Sequence, residues 1–313
     1  MLGLIGRRLA LSIPLLLIVP TATFLLAALI PGDVTRTILG ADASQAQYEQ
    51  LRRSLGLNEP LVIRYWAWLG HAVHGNLGIS LFWQQPVTSL LDSRLQVTLS
   101  LVIGSTALAA AFGMILGTLA ALHAGALGRA VDAIALAGLA IPNFFLGLLL
   151  IAWFAVTLRV FPATGYVPLT QSPGGWIRSL VLPVVTLAVP GIAVIAKQTR
   201  DAMREVLGRP FIRTLQAAGL PRRSIIGRHA MRNAAIPVVT VTGLIFIGSL
   251  SGTVLVESVF ALPGLGGLAV QATSQHDLPL IQGVAVYFTV IVICVNLLVD
   301  LTYSWLDPRV RGA

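Results

Sequence analysis

The stretch "LQAAGLPRRSIIGRHAMRNAAIPVV", residues 215–239, carries four arginines and a histidine, and it lies between two long apolar runs, 179–199 and 236–256. Apolar, basic, apolar is the pattern of two membrane spans joined by a wet loop. Similar apolar runs recur at 9–30, 97–122, 131–157 and 280–303, each at least as long as the roughly 17 residues a helix needs to cross a hydrocarbon layer. Composition agrees, with 56% hydrophobic and 11% charged residues against about 25% charged in a typical soluble domain. The expectation is an all-α integral membrane protein with six transmembrane helices.

Charge placement orients them. With the N-terminus inside, the cytoplasmic side holds Arg7, Arg8, Arg129, Lys197, eight arginines between 200 and 235, Arg309 and Arg311, together fourteen of the 21 basic residues. That excess predicts an N-in, C-in topology, and it accounts for the net charge of +9 without a nucleic-acid partner. The run from Leu9 to Asp33 exceeds a signal-peptide core of about 7–15 residues, so it is expected to stay as a signal anchor. Cys294, the single cysteine, lies in the last span, where no intramolecular disulfide is possible.

Three regions follow: a first transmembrane helix at 1–30, an extracytoplasmic interfacial helical segment at 31–96, and a five-helix core at 97–313 that includes the cytoplasmic loop 200–235. In the second region, Ser44 and Gln47 form a capping box, and Gly56 supplies the helix stop after Tyr48, Leu51 and Leu55. Pro60 begins another helix that would hold Trp66 and Trp68 at the lipid headgroups, and "HGNLGIS", 74–80, reads as a turn. Gly113 and Gly117, four apart, allow a second helix to come close. Pro142, Pro183 and Pro190 are expected to interrupt the third and fourth spans.

No catalytic residue is assigned. A P-loop needs a lysine after glycine, and the only lysine, Lys197, follows Ala196. His71 and His74 stand three apart without further ligands at metal spacing, so no metal site is assigned. "SLSG", 249–252, with His276 as base, would suit an intramembrane serine protease, but serine and glycine are ordinary packing residues in membrane helices. Glu257 and Asp300 lie near opposite ends of the last two spans, where each can reach an interface.

The arginines of 215–239 are explained by topology alone. The small residues are not. "RTLQAAGL" forms a helix that stops at Gly219 in a left-handed cap, and Pro221 starts another at an angle. Ile225 and Ile226 face apolar surroundings, Arg222, Arg223, Arg228 and Arg232 face water or acidic groups, and an exposed Leu220 tips a bend shaped to enter a groove on another protein.

These residues resemble the membrane permeases of ATP-binding cassette importers, of the dipeptide, oligopeptide and nickel type. The loop signature of that family appears as Gln216, Ala217, Ala218 and Gly219 followed by "RHAMRNAAIPVV", with "LGLNEPLVIRYWAWL", "GNLGIS", "QTRDAMREVL", "ESVFALPGLGGL" and "DLTYSWLDPRVR" in the family's order. The usual Glu of the signature is Gln216 here, and an aspartate common in the outer turn is Asn76. The resemblance implies a type I ABC importer permease fold in the bacterial inner membrane. It also implies a second homologous permease, two ATPase subunits that carry ATP and Mg, an extracytoplasmic substrate-binding protein, and no cofactor bound by this chain. Arg213, Gln216, Ala217, Ala218, Gly219, Leu220, Pro221, Arg222 and Arg223 would couple to the ATPases, and Glu257, Phe260, Pro263 and Gly264 would form an outer gate or receptor-docking surface. A stand-alone secondary transporter is the alternative; it should carry inverted repeats and charged midplane sites.

Overall fold

The computed structural model describes residues 2–306 apart from 30, 31, 41, 42, 124, 126, 127, 129, 131, 132, 135, 136 and 139. Among the described residues the regular secondary structure is helical, apart from one isolated antiparallel bridge between Ile79 and Pro86. Five helices among the described residues are long and apolar enough to cross a membrane: Gly6–Leu29, Val87–Leu122, Pro173–Leu207, Arg222–Val259 and Leu278–Leu306. A shorter apolar helix, Asn143–Thr157, covers the second half of the expected third span, whose first half includes residues outside those described.

The chain forms two compact units. One comprises Leu2–Val97 and Pro263–Ile293. It contains α1 (Leu2–Leu29), α2 (Val34–Leu39), α3 (Gln45–Ser54), α4 (Leu61–Ala72), the start of α5 (Val87–Leu122), α11 (Leu265–Ser274) and the first half of α12 (Leu278–Leu306). The capping box is present at α3, with Ser44 accepting from the Gln47 amide and the Gln47 side chain accepting from the Ser44 amide. Gly56 takes φ 65°, and the Leu57 amide closes the Schellman bond to Arg52 at 3.0 Å. Aromatic contact holds α4 against α1, with the Phe24 and Tyr65 rings 5.3 Å apart and Thr21 and Tyr65 hydroxyls bonded at 2.5 Å. Trp66 is exposed, and Trp68 is half-buried. Its indole N–H donates to the Leu77 carbonyl at 3.3 Å and its ring packs on the core of Leu77, Val87, Leu91, Leu265, Leu268, Ala272, Leu280 and Val284.

The other unit is Thr98–Leu262 with the chain from Cys294 onward. It holds the rest of α5, α6 (Asn143–Leu150) with a π-helical turn (Ile151–Thr157), α7 (Pro173–Leu207), α8 (Pro210–Ala217), α9 (Arg222–Ser224), a second π-helical turn (Ile225–Ala230), α10 (Met231–Val259) and the end of α12. The glycine pair on α5 meets α7 as expected: a Cβ at Gly113 would lie 2.7 Å from Ile195, and one at Gly117 would overlap the Ala196 carbonyl. Pro142 stands at a helix boundary, as the N-cap of α6. The fourth span is not interrupted, because α7 runs through both Pro183 and Pro190. Packed on both sides by protein, α7 keeps enough of its remaining ladder and side-chain contacts to continue past a lost amide. Pro237 likewise lies inside α10.

Candidate coupling bend and buried outer carboxyl

The bend is built by a complete Schellman motif. Ala218 caps α8, the Gly219 amide donates to the Gln216 carbonyl at 3.0 Å, and the Leu220 amide reaches back to Leu215 at 3.2 Å. Gly219 has φ 78°, a conformation that a Cβ disfavours and that a glycine adopts without strain. Pro221 then opens α9, its carbonyl accepting from the Ser224 and Ile225 amides at 2.9 and 3.1 Å. The motif's accompanying apolar contact is present too, since Leu215 and Leu220 both pack on the same cluster.

That cluster joins the bend to two long helices. Its buried members are Ala202, Met203 and Val206 of α7, Ile212 of α8, Ile225 and Ala230 of the π-helical turn, and Ala234 of α10. Leu220 is therefore half-buried, with its side chain turned onto this cluster, where the sequence suggested a free docking tip. Arg213, Gln216, Ala217, Ala218, Gly219, Pro221, Arg222 and Arg223 remain exposed. The bend thus presents a polar and small-residue surface outward while its inner face is fixed to α7 and α10.

Two arginines counted in the sequence only for topology have a defined task nearby. Arg204 Nη2 donates to the Ala120 carbonyl in the last turn of α5 at 3.3 Å, and Arg200, 9% exposed, donates to the Gly128 carbonyl at 3.4 Å and to Asp201 at 3.1 Å. Both satisfy carbonyls at and beyond the α5 C-terminus, where intrahelical donors run out.

At the other end of α10, Glu257 is only 1% exposed. It does not reach an interface. Thr98, fully buried on α5, donates its hydroxyl to Glu257 Oε1 at 2.8 Å. Phe260, also 1% exposed, caps α10, and its carbonyl accepts from the Gly165 amide at 3.0 Å. Ala261 follows in the left-handed region at φ 49°, and the Leu262 amide closes the turn on the Glu257 carbonyl at 2.8 Å. Pro263 and Gly264 belong to the other unit, the first exposed and the second buried as the N-cap of α11. The expected group of four is thus divided, and of these residues only Pro263 has surface to offer a receptor.

Sequence reasoning missed the most heavily bonded carboxyl of the first unit. Asp277, fully buried, accepts from the Ser80 hydroxyl at 2.5 Å, the Phe82 amide at 3.1 Å and the Leu280 amide at 3.3 Å. Ser80 in turn accepts from the Trp83 amide at 3.0 Å. The turn after "HGNLGIS" is thereby pinned to the corner between α11 and α12. A buried carboxyl needs such donors, yet partners 197 residues apart leave no local pattern to read.

Comparison with known proteins agrees with this architecture. Residues 113–312 match the family described as binding-protein-dependent transport system inner membrane component, and residues 1–102 match its N-terminal family. A protein of Brucella abortus described as a peptide transport system permease is 42% identical over 99% of both chains. A peptide ABC transporter permease protein of Sinorhizobium fredii is 40% identical over 97% of this chain and 98% of its own. The glutathione transport system permease protein GsiC of Escherichia coli is 38% identical over 99% of both. Among solved structures, a chain of the inward-facing MetNI methionine ABC transporter superposes with a TM-score of 0.54 at 18% identity, covering 70% of this chain and 97% of that one. The fold is that of the ABC importer permeases, and the chain belongs to the family of binding-protein-dependent transport system inner membrane components, multi-pass permeases of the bacterial inner membrane.

Proposed function

We propose that this permease forms one half of the translocation path for di- or oligopeptides, and that it has no catalytic site of its own. A second homologous permease completes the path, two ATPase subunits hold ATP and Mg, and a substrate-binding protein delivers from outside. The peptide assignment is supported by the relatives named for peptide and glutathione transport. Six spans with both termini inside, divided as 1–30, 31–96 and 97–313, fit the distribution of basic residues.

The observation that carries the mechanism is the shared cluster under the bend. Force on Arg213, Gln216–Gly219 and Pro221–Arg223 is carried by close-packed side chains, which transmit strain, to the end of α7 and the start of α10 together. ATP-driven closure of the ATPases would then rock both helices as a rigid body. Glu257 and Phe260, buried at the far end of α10, would act in an outer gate, and the exposed Pro263 would meet the receptor.

Gly219→Asp tests the coupling assignment in the assembled transporter reconstituted in proteoliposomes. The complex should still co-purify with its ATPases and hydrolyse ATP, while uptake of labelled peptide is lost. Wild-type uptake by the variant would sink the assignment.

A further inference from the structure

A cavity of about 230 Å³ lies in the unit formed by Leu2–Val97 and Pro263–Ile293. Its apolar lining includes Ala27 in the last turn of α1, Leu57 and Leu61. Arg52, Arg64, Asp33 and His276 also line it. Two guanidinium groups therefore share a half-enclosed space with one carboxylate.

That carboxylate is already engaged. Asp33 Oδ1 accepts from the Thr35 amide at 2.8 Å, and Oδ2 accepts from the Tyr48 hydroxyl. Arg52 donates one N–H to Tyr48 at 3.1 Å and stacks 6.0 Å from its ring centre. Arg64 is half-buried; its amide donates to the Pro60 carbonyl at 3.1 Å, while its guanidinium, among the described residues, has no hydrogen bond and no ion pair. Burial, and then the charge of Arg52, lower its pKa, so its positive charge is held there against both desolvation and repulsion. A second cation facing the first is stable when an anion lies between them.

The chemistry of that anion follows from the walls. Guanidinium groups match the planar spacing of phosphate oxygens. The cavity is smaller than the about 300–1,000 Å³ of pockets for drug-sized ligands, and it adjoins the end of an apolar span, where headgroups meet water. We propose that the cavity binds the phosphate of a phospholipid headgroup, with Arg64 and Arg52 as donors and Leu57 and Leu61 against the glycerol and first acyl carbons. The lipid would then hold α4 to the end of α1.

The test uses the full transporter in detergent, titrated with dihexanoyl-phosphatidylglycerol and followed by native mass spectrometry. Wild type should bind saturably, and Arg64→Gln and Arg52→Gln should each weaken binding about tenfold, the scale of one charge-assisted hydrogen bond. Leu61→Trp, which fills the cavity and keeps both charges, should weaken it as well, so the test survives if an arginine variant fails to assemble. Arg53→Gln, at an exposed ion pair with Glu49, should bind as wild type does. Equal binding by all variants overturns the site. So does equal affinity for glycerol phosphate, which would make the ligand a free anion, for dihexanoylglycerol, which would remove the phosphate from the argument, or displacement by a dipeptide, which would make it a peptide carboxylate.

Discussion

Thr98 and Glu257, 159 residues apart in the chain, meet at 2.8 Å with neither side chain reaching solvent. The hydroxyl is a donor to an otherwise costly buried carboxyl. Thr98→Val keeps the shape and removes that donor, which should lower stability by about 1–3 kcal/mol. Glu257→Gln keeps an acceptor for Thr98 and should cost less than Glu257→Ala. Thermal unfolding of the purified protein orders the three variants. Equal midpoints for Thr98→Val and wild type would show that this bond contributes nothing.

Ser80 links a second buried carboxyl, Asp277, to the backbone of the turn that precedes α5. Ser80→Ala removes the donor to Asp277 and the acceptor of the Trp83 amide together. The expected loss is again about 1–3 kcal/mol for buried groups left unmatched. Hydrogen exchange should rise at the amides of Phe82 and Trp83 and stay unchanged in α8. Protection unaltered at both amides would refute this role.

Ala261 adopts the left-handed conformation that Gly219 adopts in the other turn. A Cβ there costs about 1–2 kcal/mol, partly offset because glycine loses more chain entropy on folding. Ala261→Gly should therefore stabilise the protein by up to about 1 kcal/mol. Calorimetry of the variant would contradict the strain if its unfolding midpoint fell.

Asp33 supplies a pH-dependent link between α2 and α3. Partial burial pushes its carboxyl up, but hydrogen bonds from Tyr48 and Thr35 and the charge of Arg52 outweigh that and leave its pKa below the ordinary 3.8. A carboxyl lowered in the folded state adds stability above its unfolded pKa, and that contribution disappears as pH falls through the folded value. Protection of α2 and α3 amides should hold from pH 7 to about 5, by the usual carboxylate range, and decline below about pH 4 in wild type. Asp33→Asn should flatten that decline; an unchanged profile would assign it to other groups.

Local rules were readable where the cause was local. Ser44 and Gln47 sit three apart, Gly219 precedes a proline by two, and Gly113 and Gly117 share a helix face, so each feature follows from near neighbours. The α7 prolines misled because propensity describes an isolated helix, whereas α7 is enclosed by α5 and α10. The burial of Leu220 depends on Met203 and Ile225 arriving from two other elements. Thr98 and Ser80 look like ordinary hydroxyls until the fold brings a distant carboxyl to each.

The π-helical turn Ile225–Ala230 stands between the bend and α10 in a helix that is otherwise continuous from Arg222 to Val259. A π turn accommodates an extra residue in the α-helical ladder, and each residue of an α-helix turns by about 100°. The direction in which Arg222, Arg223 and Gly219 point around the axis of α10 is consequently set by one residue's worth of phase. Loss of that residue would leave every side chain of the bend present and aim the whole surface at a different azimuth.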